Sequence, residues 1–511
     1  MHSKNILILL LVLLIAGVGS LFLGSAVASS DFATIGAFIA GAVALCLYLL
    51  LGKDVWVLIP IFAAWQGSLG FLPLPFSVNN LVVGFVVLCW IINILTRREN
   101  LRHQFTGLDM IIAVFVMVLA IGYIRNPVSV AALGGSSVGA RPYFEIGMGL
   151  MAYMILSSIR VSSVWINRVP YLTVLSCVFL AIGGTVAYFL PELGMILSKI
   201  YSGFVPNMSE LQGDYEGGSG ITRASYLTPL AIAITALLYA KRAPLMNLNP
   251  RTPGSVLSLG LALSCALLSG FRGALGAQVF YFSTASWMWW RGKGLAMVGV
   301  LASVCLIGIF TISTVIELPL GVQRSLSFLP GQWDSGVVEN ADRSNEFRFD
   351  LWHRAWYEGG IENVWIGDGF RIPEAELDYQ KELMKQGYVK EEDRITYYLI
   401  TGDLHSGPLS AIKYVGLLGL VVFIMLAAAV AIQAYKLWNV SIQRNGKMLI
   451  GFYTLPMIYF PFLYVFIFGS FRLDAPRLLV YAGLIVLLKN VMTDALSHDN
   501  KEKDEVGKIV R

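Results

Sequence analysis

Long apolar runs separated by short polar breaks repeat along almost the whole chain. A helix that crosses the hydrocarbon core of a bilayer takes roughly 20 mostly apolar residues. On that criterion about fourteen membrane spans are expected. They fall near 6–23, 32–51, 55–70, 78–95, 107–124, 142–158, 169–190, 224–240, 254–270, 274–290, 295–317, 408–434, 448–469 and 476–491. The fold class this pattern predicts is all-α, a polytopic membrane protein. The run over 6–23 lacks a convincing signal-peptidase site and reads as a retained first helix.

Longer polar excursions interrupt the pattern at 191–222 and 318–407. The first ends in the acidic, glycine-rich stretch Glu210-Leu-Gln-Gly-Asp-Tyr-Glu-Gly-Gly. The second, roughly ninety residues long, exceeds what a passive connection in a compact bundle needs. Within it Phe347, Leu351, Ala355 and Trp356 recur at helical spacing before Gly359-Gly360 stops the helix. A second helix is expected from Pro373, with Glu374, Glu376 and Asp378 early and Lys381 and Lys385 late, as the helix dipole favours. The expected organisation is a bundle of the first eleven helices (1–317), a large helical loop (318–407), the last three helices (408–491) and a tail (492–511). The tail is charged from about Asp494 onward and is expected to be disordered.

Composition supports the same class. Hydrophobic residues make up 56% of the chain and charged residues 14%, and the mean hydropathy is +0.69. The net charge of +5 is too small to imply a nucleic-acid partner, and none is expected. The placement of the charge says more. Lys4, Lys53, Arg97-Arg98-Arg102, Arg160, Arg168, Lys241, Arg242, Arg251, Arg291, Lys293, Lys436, Arg444 and Lys447 all fall on one side of the span count. By the positive-inside rule both termini are then cytoplasmic, and both long loops lie outside. All five cysteines sit inside apolar segments, so neither a disulfide framework nor a zinc-ligand spacing is visible.

Candidate chemistry gathers on the outer side. His405-Ser406-Gly407-Pro408 opens an apolar segment directly after the large loop. Pro408 suits a first helical turn and Ser406 an N-cap. His405 beside that N-terminus is then disfavoured as imidazolium and able to accept a proton from a hydroxyl. Gly416 and Gly419 are expected on one helical face, where small residues permit close helix contact. Arg272 sits in the sharp turn Ser269-Gly270-Phe271-Arg272-Gly273-Ala274, and Arg223 follows Gly217-Gly218-Ser219-Gly220. Guanidinium groups match phosphate oxygens bidentately, so arginines near a candidate base suggest an anionic ligand such as a diphosphate. Taken singly, each arginine also fits an anchor at the interface, and the histidine fits a polar helix end. Arg348 and Arg354 on the loop helix are weaker candidates.

His405-Ser406, nine residues, then Gly416-Leu-Leu-Gly419 resembles the histidine signature of the O-antigen ligase and O-antigen polymerase superfamily. Ser269-Gly-Phe-Arg272-Gly-Ala is similar to that family's arginine turn. Arg348-x-x-Leu351-Trp352 and Ile366-Gly-Asp-Gly369 resemble its large periplasmic loop, and Arg223 stands where its other arginine precedes a helix. The resemblance implies a GT-C-like membrane glycosyltransferase of the bacterial inner membrane, with its active face periplasmic. Its donor would be an undecaprenyl-diphosphate-linked glycan and its acceptor a glycan or lipid A-core hydroxyl. His405 would be the base, Arg223 and Arg272 would hold the diphosphate, and Arg348 would contact the site from the loop. The reaction would invert the anomeric centre. No cofactor and no metal would be needed, and no Asp-x-Asp stands in the outer loops.

The sequence leaves rival classes open. A transporter or flippase would carry ionisable or broken stretches near mid-membrane. Here the spans look nearly free of charge, with Glu145 the main exception and Arg141 its expected partner. A structural subunit would leave His405 dispensable.

Overall fold

The computed structural model describes residues 32–70, 76–96, 103, 105–128, 139–204, 224–371, 391–443, 448–466 and 469–509. In chain order the helices are α1 (Phe32–Leu51), α2 (Val78–Leu95), α3 (Gly107–Arg125), α4 (Ala140–Ser158), α5 (Ser163–Phe189) and α6 (Pro191–Ile200). There follow α7 (Thr228–Lys241), α8 (Pro253–Leu268), α9 (Arg272–Trp290), α10 (Gly292–Val315), α11 (Leu320–Leu326) and α12 (Ser335–Tyr357). The chain ends with α13 (Glu391–Thr401), α14 (Gly407–Gln443), α15 (Ile450–Phe466) and α16 (Phe471–Ile509). Among the described residues no strand forms, only isolated bridges of Ser68 to Ser77 and Leu69 to Tyr201. The expected span over 6–23, Lys4, the Arg97-Arg98-Arg102 group, the Glu210 stretch, Arg223, the helix from Pro373, Arg444 and Lys447 lie outside the described residues.

By length and composition, seven of these helical stretches are able to cross a membrane, and three shorter apolar helices accompany them. The chain is a helical integral membrane protein. Helix α10 illustrates why: Val300, Ile307 and Val315 are 66%, 68% and 75% exposed, and only lipid gives such side chains a favourable surrounding. Helices α4 and α9 have 19 residues each but fall outside the seven, because Arg141 and Glu145 in one and Arg272 and Gln278 in the other dilute their apolar character.

The expected span over 55–70 is not a continuous helix. Gly52–Val57 forms a 3-10 turn and Leu58–Ile61 a single α-turn, after which the chain is irregular. Gly67 and Gly70 hold the irregular part close to the chain around 199–203. They press against Tyr201 and Lys199, where an added Cβ would lie 2.8 and 2.5 Å from the nearest atom of each. Val55, Trp56, Val57 and Ile59 are buried, and the irregular backbone finds partners, with Val78 and Asn79 donating to Gly67 and Trp65. Non-helical backbone survives inside a membrane protein only under such cover.

The charged tail departs from expectation as well. Helix α16 runs unbroken from Phe471 to Ile509 rather than fraying at Asp494. Its first half lies along α4, where Gly149 lets the Pro476 backbone approach and Gly483 receives Tyr153. That early start also brings Asp474 into the helix, ahead of the expected start at 476.

The helix ends form two groups. At one end of the bundle Arg291 bonds Tyr435 and Asn439, Lys241 stands 4.5 Å over Tyr171, and Arg160 faces Asp494. At the opposite end the large loop packs onto the starts of α9, α14 and α16. We call this end the loop face.

Candidate functional site

Helix α12 organises the loop face. Asp334 caps it, its carboxylate accepting from the Gly336 and Val337 N–H groups, and Gly359 at φ +81° ends it as the Gly359-Gly360 pair predicts. Leu351 and Ala355 are buried against Ile395 of α13 and Leu404, while Trp356 is exposed. The helix starts earlier than the apolar spacing implies, and α13 was not expected at all.

At one end α12 meets the arginine turn. Arg272 is the first residue of α9; its Nη1 donates to Asn345 Oδ1 at 3.4 Å and its Nη2 to Ser327 Oγ at 3.0 Å. Gly270, at φ +70°, makes the turn. Arg324 of α11 closes over it from the loop, donating to the Gly270 carbonyl at 3.0 Å and to Asn340 Oδ1 at 2.9 Å. Arg324 is 7% exposed and was not singled out from the sequence. Arg223 lies outside the described residues, but the Ala224 N–H donates to the Ser269 carbonyl at 3.1 Å. The chain that follows Arg223 is thereby joined to the Arg272 turn.

Further along α12, Trp352 Nε1 donates to the Leu404 carbonyl at 2.7 Å. The next residue is His405, whose backbone is left-handed at φ +49°. Few non-glycine residues hold that conformation, and it is retained where surrounding packing over-determines it. Here the packing comes from both sides. Gly402 (φ +64°) rests on Tyr414, whose hydroxyl donates to the Thr401 carbonyl, and the Tyr398 ring lies 5.0 Å from the His405 ring. On the other side the Gly407 carbonyl accepts from Tyr464 Oη at 2.6 Å, and Ser410 Oγ accepts from the Phe471 N–H at 2.9 Å. Pro408 stands in the first turn of α14 as expected.

Asn345 and Trp352 therefore tether Arg272 and the His405 peptide to one helix. Seven residues of α-helix span about 10 Å. Arg348 is half-buried between these tethers on the same face, by i,i+3 and i,i+4 spacing. Three of the sequence candidates, Arg272, Arg348 and His405, are thus strung along α12.

Gly416 departs from expectation. It does not share a helical face with Gly419; at φ +69°, ψ −178° it breaks α14 in two. A break leaves carbonyls before it and N–H groups after it unpaired. The loop segment 364–369 fills them: Asp368 and Gly369 N–H donate to Lys413 and Tyr414 carbonyls, and Leu417 and Leu418 N–H donate to Val364 and Trp365 carbonyls. An added Cβ on Gly416 would lie 2.2 Å from the Trp365 carbonyl oxygen, and one on Gly367 2.5 Å from Gly416 N. Both glycines are needed for this backbone contact.

Side chains secure the inserted loop. Asp368 pairs with Lys413 Nζ at 2.9 Å and accepts from the Glu362 and Asn363 N–H groups. Arg125 and Asn126 of the α3 end donate to the Gly367 and Asp368 carbonyls. Phe370, 1% exposed, lies among Tyr143, Tyr414 and Phe471. The sequence had marked Ile366-Gly-Asp-Gly369 and Gly416 separately; their direct contact is a finding of the structure. Arg472 is a further cation near the site, next in the chain to Phe471, whose ring lies 6.2 Å from that of Tyr414. Its setting, Gly469-Ser470-Phe471-Arg472, parallels Ser269-Gly270-Phe271-Arg272, a signal the sequence carried. Arg141 and Glu145 pair at 3.0 Å as expected.

No protein-family profile matches the chain, and no curated protein is significantly similar to it.

Proposed function

We propose that the protein is a membrane glycosyltransferase that moves a glycan en bloc from a lipid diphosphate to an acceptor hydroxyl at the loop face. The single observation that carries this reading is helix α12, which ties Arg272, Arg348 and the left-handed His405 peptide into one line of a base and phosphate-matching cations. A purely structural helix end has no need of strained backbone at a histidine.

In this reading His405 accepts the proton of the acceptor hydroxyl as its oxygen bonds to the anomeric carbon. The bond from that carbon to the diphosphate oxygen breaks, and the diphosphate leaves with the electron pair. Arg223 and Arg272 take up the charge developing on the leaving group, the largest electrostatic task of the step. Arg348 contacts the same anion from the loop. Attack opposite the leaving group inverts the centre, and the arginines remove the need for a metal. The resemblance to O-antigen ligases and polymerases supports an undecaprenyl-diphosphate-linked donor and a glycan or lipid A-core acceptor. The same reading takes the fold as GT-C-like with about fourteen spans. It sets the protein in a bacterial inner membrane with cytoplasmic termini and the loop face periplasmic.

The test is transfer from lipid-diphosphate-linked oligosaccharide in reconstituted membranes, with chelator present, for the wild type and His405→Asn. Product from the wild type alone is the expected result. A ladder of sizes identifies a polymerase and a single addition a ligase. Equal product from both proteins would remove His405 from the chemistry.

A further inference from the structure

Along its site-facing flank α12 carries aromatic rings that its own packing does not use. Asn345, Phe349, Trp352 and Trp356 are spaced i, i+4, i+7 and i+11, one helical face about 16 Å along the axis. Asn345 holds Arg272, and Trp352 holds the Leu404 carbonyl at 2.7 Å, one residue before His405. Phe349 stands between these tethers, its ring edge-on to that of Trp352 at 5.5 Å. The packed side of α12 is the one with Leu351 and Ala355, which meet Ile395 and Leu404. Phe349 is left 66% exposed and Trp356 44%.

Large rings held open beside a site mark a surface that receives an apolar face. Membrane lipid would supply one, but the charges on α12 argue against it. A helix that lies in a membrane interface turns lysines and arginines towards the headgroups. On α12 the exposed charges near the rings include Glu339, Asp342 and Glu346. Its arginines Arg343 and Arg354 are paired with Glu339 at 2.6 Å and Asp350 at 3.2 Å. Lipid phosphates would meet carboxylates there.

A sugar ring suits both parts of this surface. Its C–H face lies flat on an aromatic ring, whose π face is the negative side of a quadrupole. Its hydroxyls donate to carboxylates, which only accept. The rings also begin where the phosphate-matching cation ends, so a glycan bound to a diphosphate at Arg272 would run onto them.

We infer that Phe349 and Trp356, with Trp352 fixed between them, form a platform on which sugar rings of the glycan stack beside His405. The inference rests on the proposed function and deepens it, because it assigns the groups that hold the uncharged sugars. Arg272 takes the anion, and the aromatic face sets the line along which the glycan lies.

The test is equilibrium binding of the free oligosaccharide released from the donor lipid, read by saturation-transfer NMR on the full-length protein in nanodiscs. Phe349→Leu/Trp356→Leu keeps an apolar surface and removes two π faces. It is expected to weaken binding about tenfold while the melting temperature stays at the wild-type value. Phe349→Tyr/Trp356→Phe should keep most of the affinity. Trp356→Leu alone gives a second reading if the double variant does not fold. No binding by the wild type, or binding by the folded Leu variants within about twofold of wild type, would overturn the inference. Quenching of Trp356 fluorescence by brominated lipid, taken as the difference from Trp356→Phe, would assign the rings to the membrane and also overturn it. The proposed function fails differently: oligosaccharide binding that depends on these rings, with no transfer by the wild type, would sink the transferase and keep the platform.

Discussion

Lys413 and Asp368 meet at 2.9 Å across the break in α14, the lysine on the helix and the carboxylate on the inserted loop. Both side chains are largely enclosed, at 16% and 10% exposure. Lys413 also donates to the Gly360 carbonyl, and Asp368 also accepts two backbone N–H groups, so neither charge is left with a single partner.

Removing one side of such a pair strands the other. Asp368→Ala is expected to cost about 3 kcal/mol of stability. The Asp368→Ala/Lys413→Met double variant should lose less than the sum of the singles, with a coupling of about 1–3 kcal/mol. Thermal unfolding in detergent checks both. Additive losses would mean that the pair does not hold the loop.

Gly416→Ala should be worse than its size suggests. A Cβ there collides with the Trp365 carbonyl and must sit at positive φ, a backbone cost of about 1–2 kcal/mol before the clash is counted. The expected result is release of the loop, read as faster amide hydrogen exchange over 361–371. Unchanged exchange in a folded Gly416→Ala protein would show that the loop docks without the break.

His405 allows backbone and side chain to be separated. Asn tolerates left-handed backbone, so His405→Asn should keep wild-type stability and lose transfer by about 10²–10⁴-fold, the usual worth of a general base. His405→Val should lose transfer and also about 1–2 kcal/mol of stability. If His405→Asn and His405→Val melt together, the left-handed peptide carries no strain of consequence.

Arg272→Lys keeps the charge and loses the fork. A drop of about 10²-fold in transfer is expected, comparable to losing one stabilising donor. The α12 contact should survive, because Arg324 still joins the loop to Gly270 and Asn340. Loss of α12 protection in hydrogen exchange would instead make Arg272 a structural strut.

Hydrophobic runs made most of the helices legible, because a bilayer demands length and apolarity that few other folds need. The runs over 78–95 and 107–124 coincide with α2 and α3 almost residue for residue. The segment over 55–70 was misread because its apolar residues are buried by protein, not lipid, and hydropathy does not distinguish the two. Gly416 was misread for a related reason: a glycine that packs helices and one that breaks a helix look alike until the partner segment is known. Arg324, Arg472 and Lys413 were missed because their significance lies in what they touch across long stretches of chain. Arg272 and His405 could be named as candidates from residue type and spacing, and Arg348 through the family resemblance; their alignment along one helix is visible only in the fold.

The interruption at Gly416 also bears on how the molecule is assembled. Residues 364–369 are synthesised before the helix they complete, so the insert waits for a socket that does not yet exist. Once both halves of that helix have entered the bilayer, they carry bare carbonyl and amide groups into hydrocarbon until the insert arrives. Neither piece reaches its final form alone. Maturation of this protein therefore includes the return of a loop to a helix made after it.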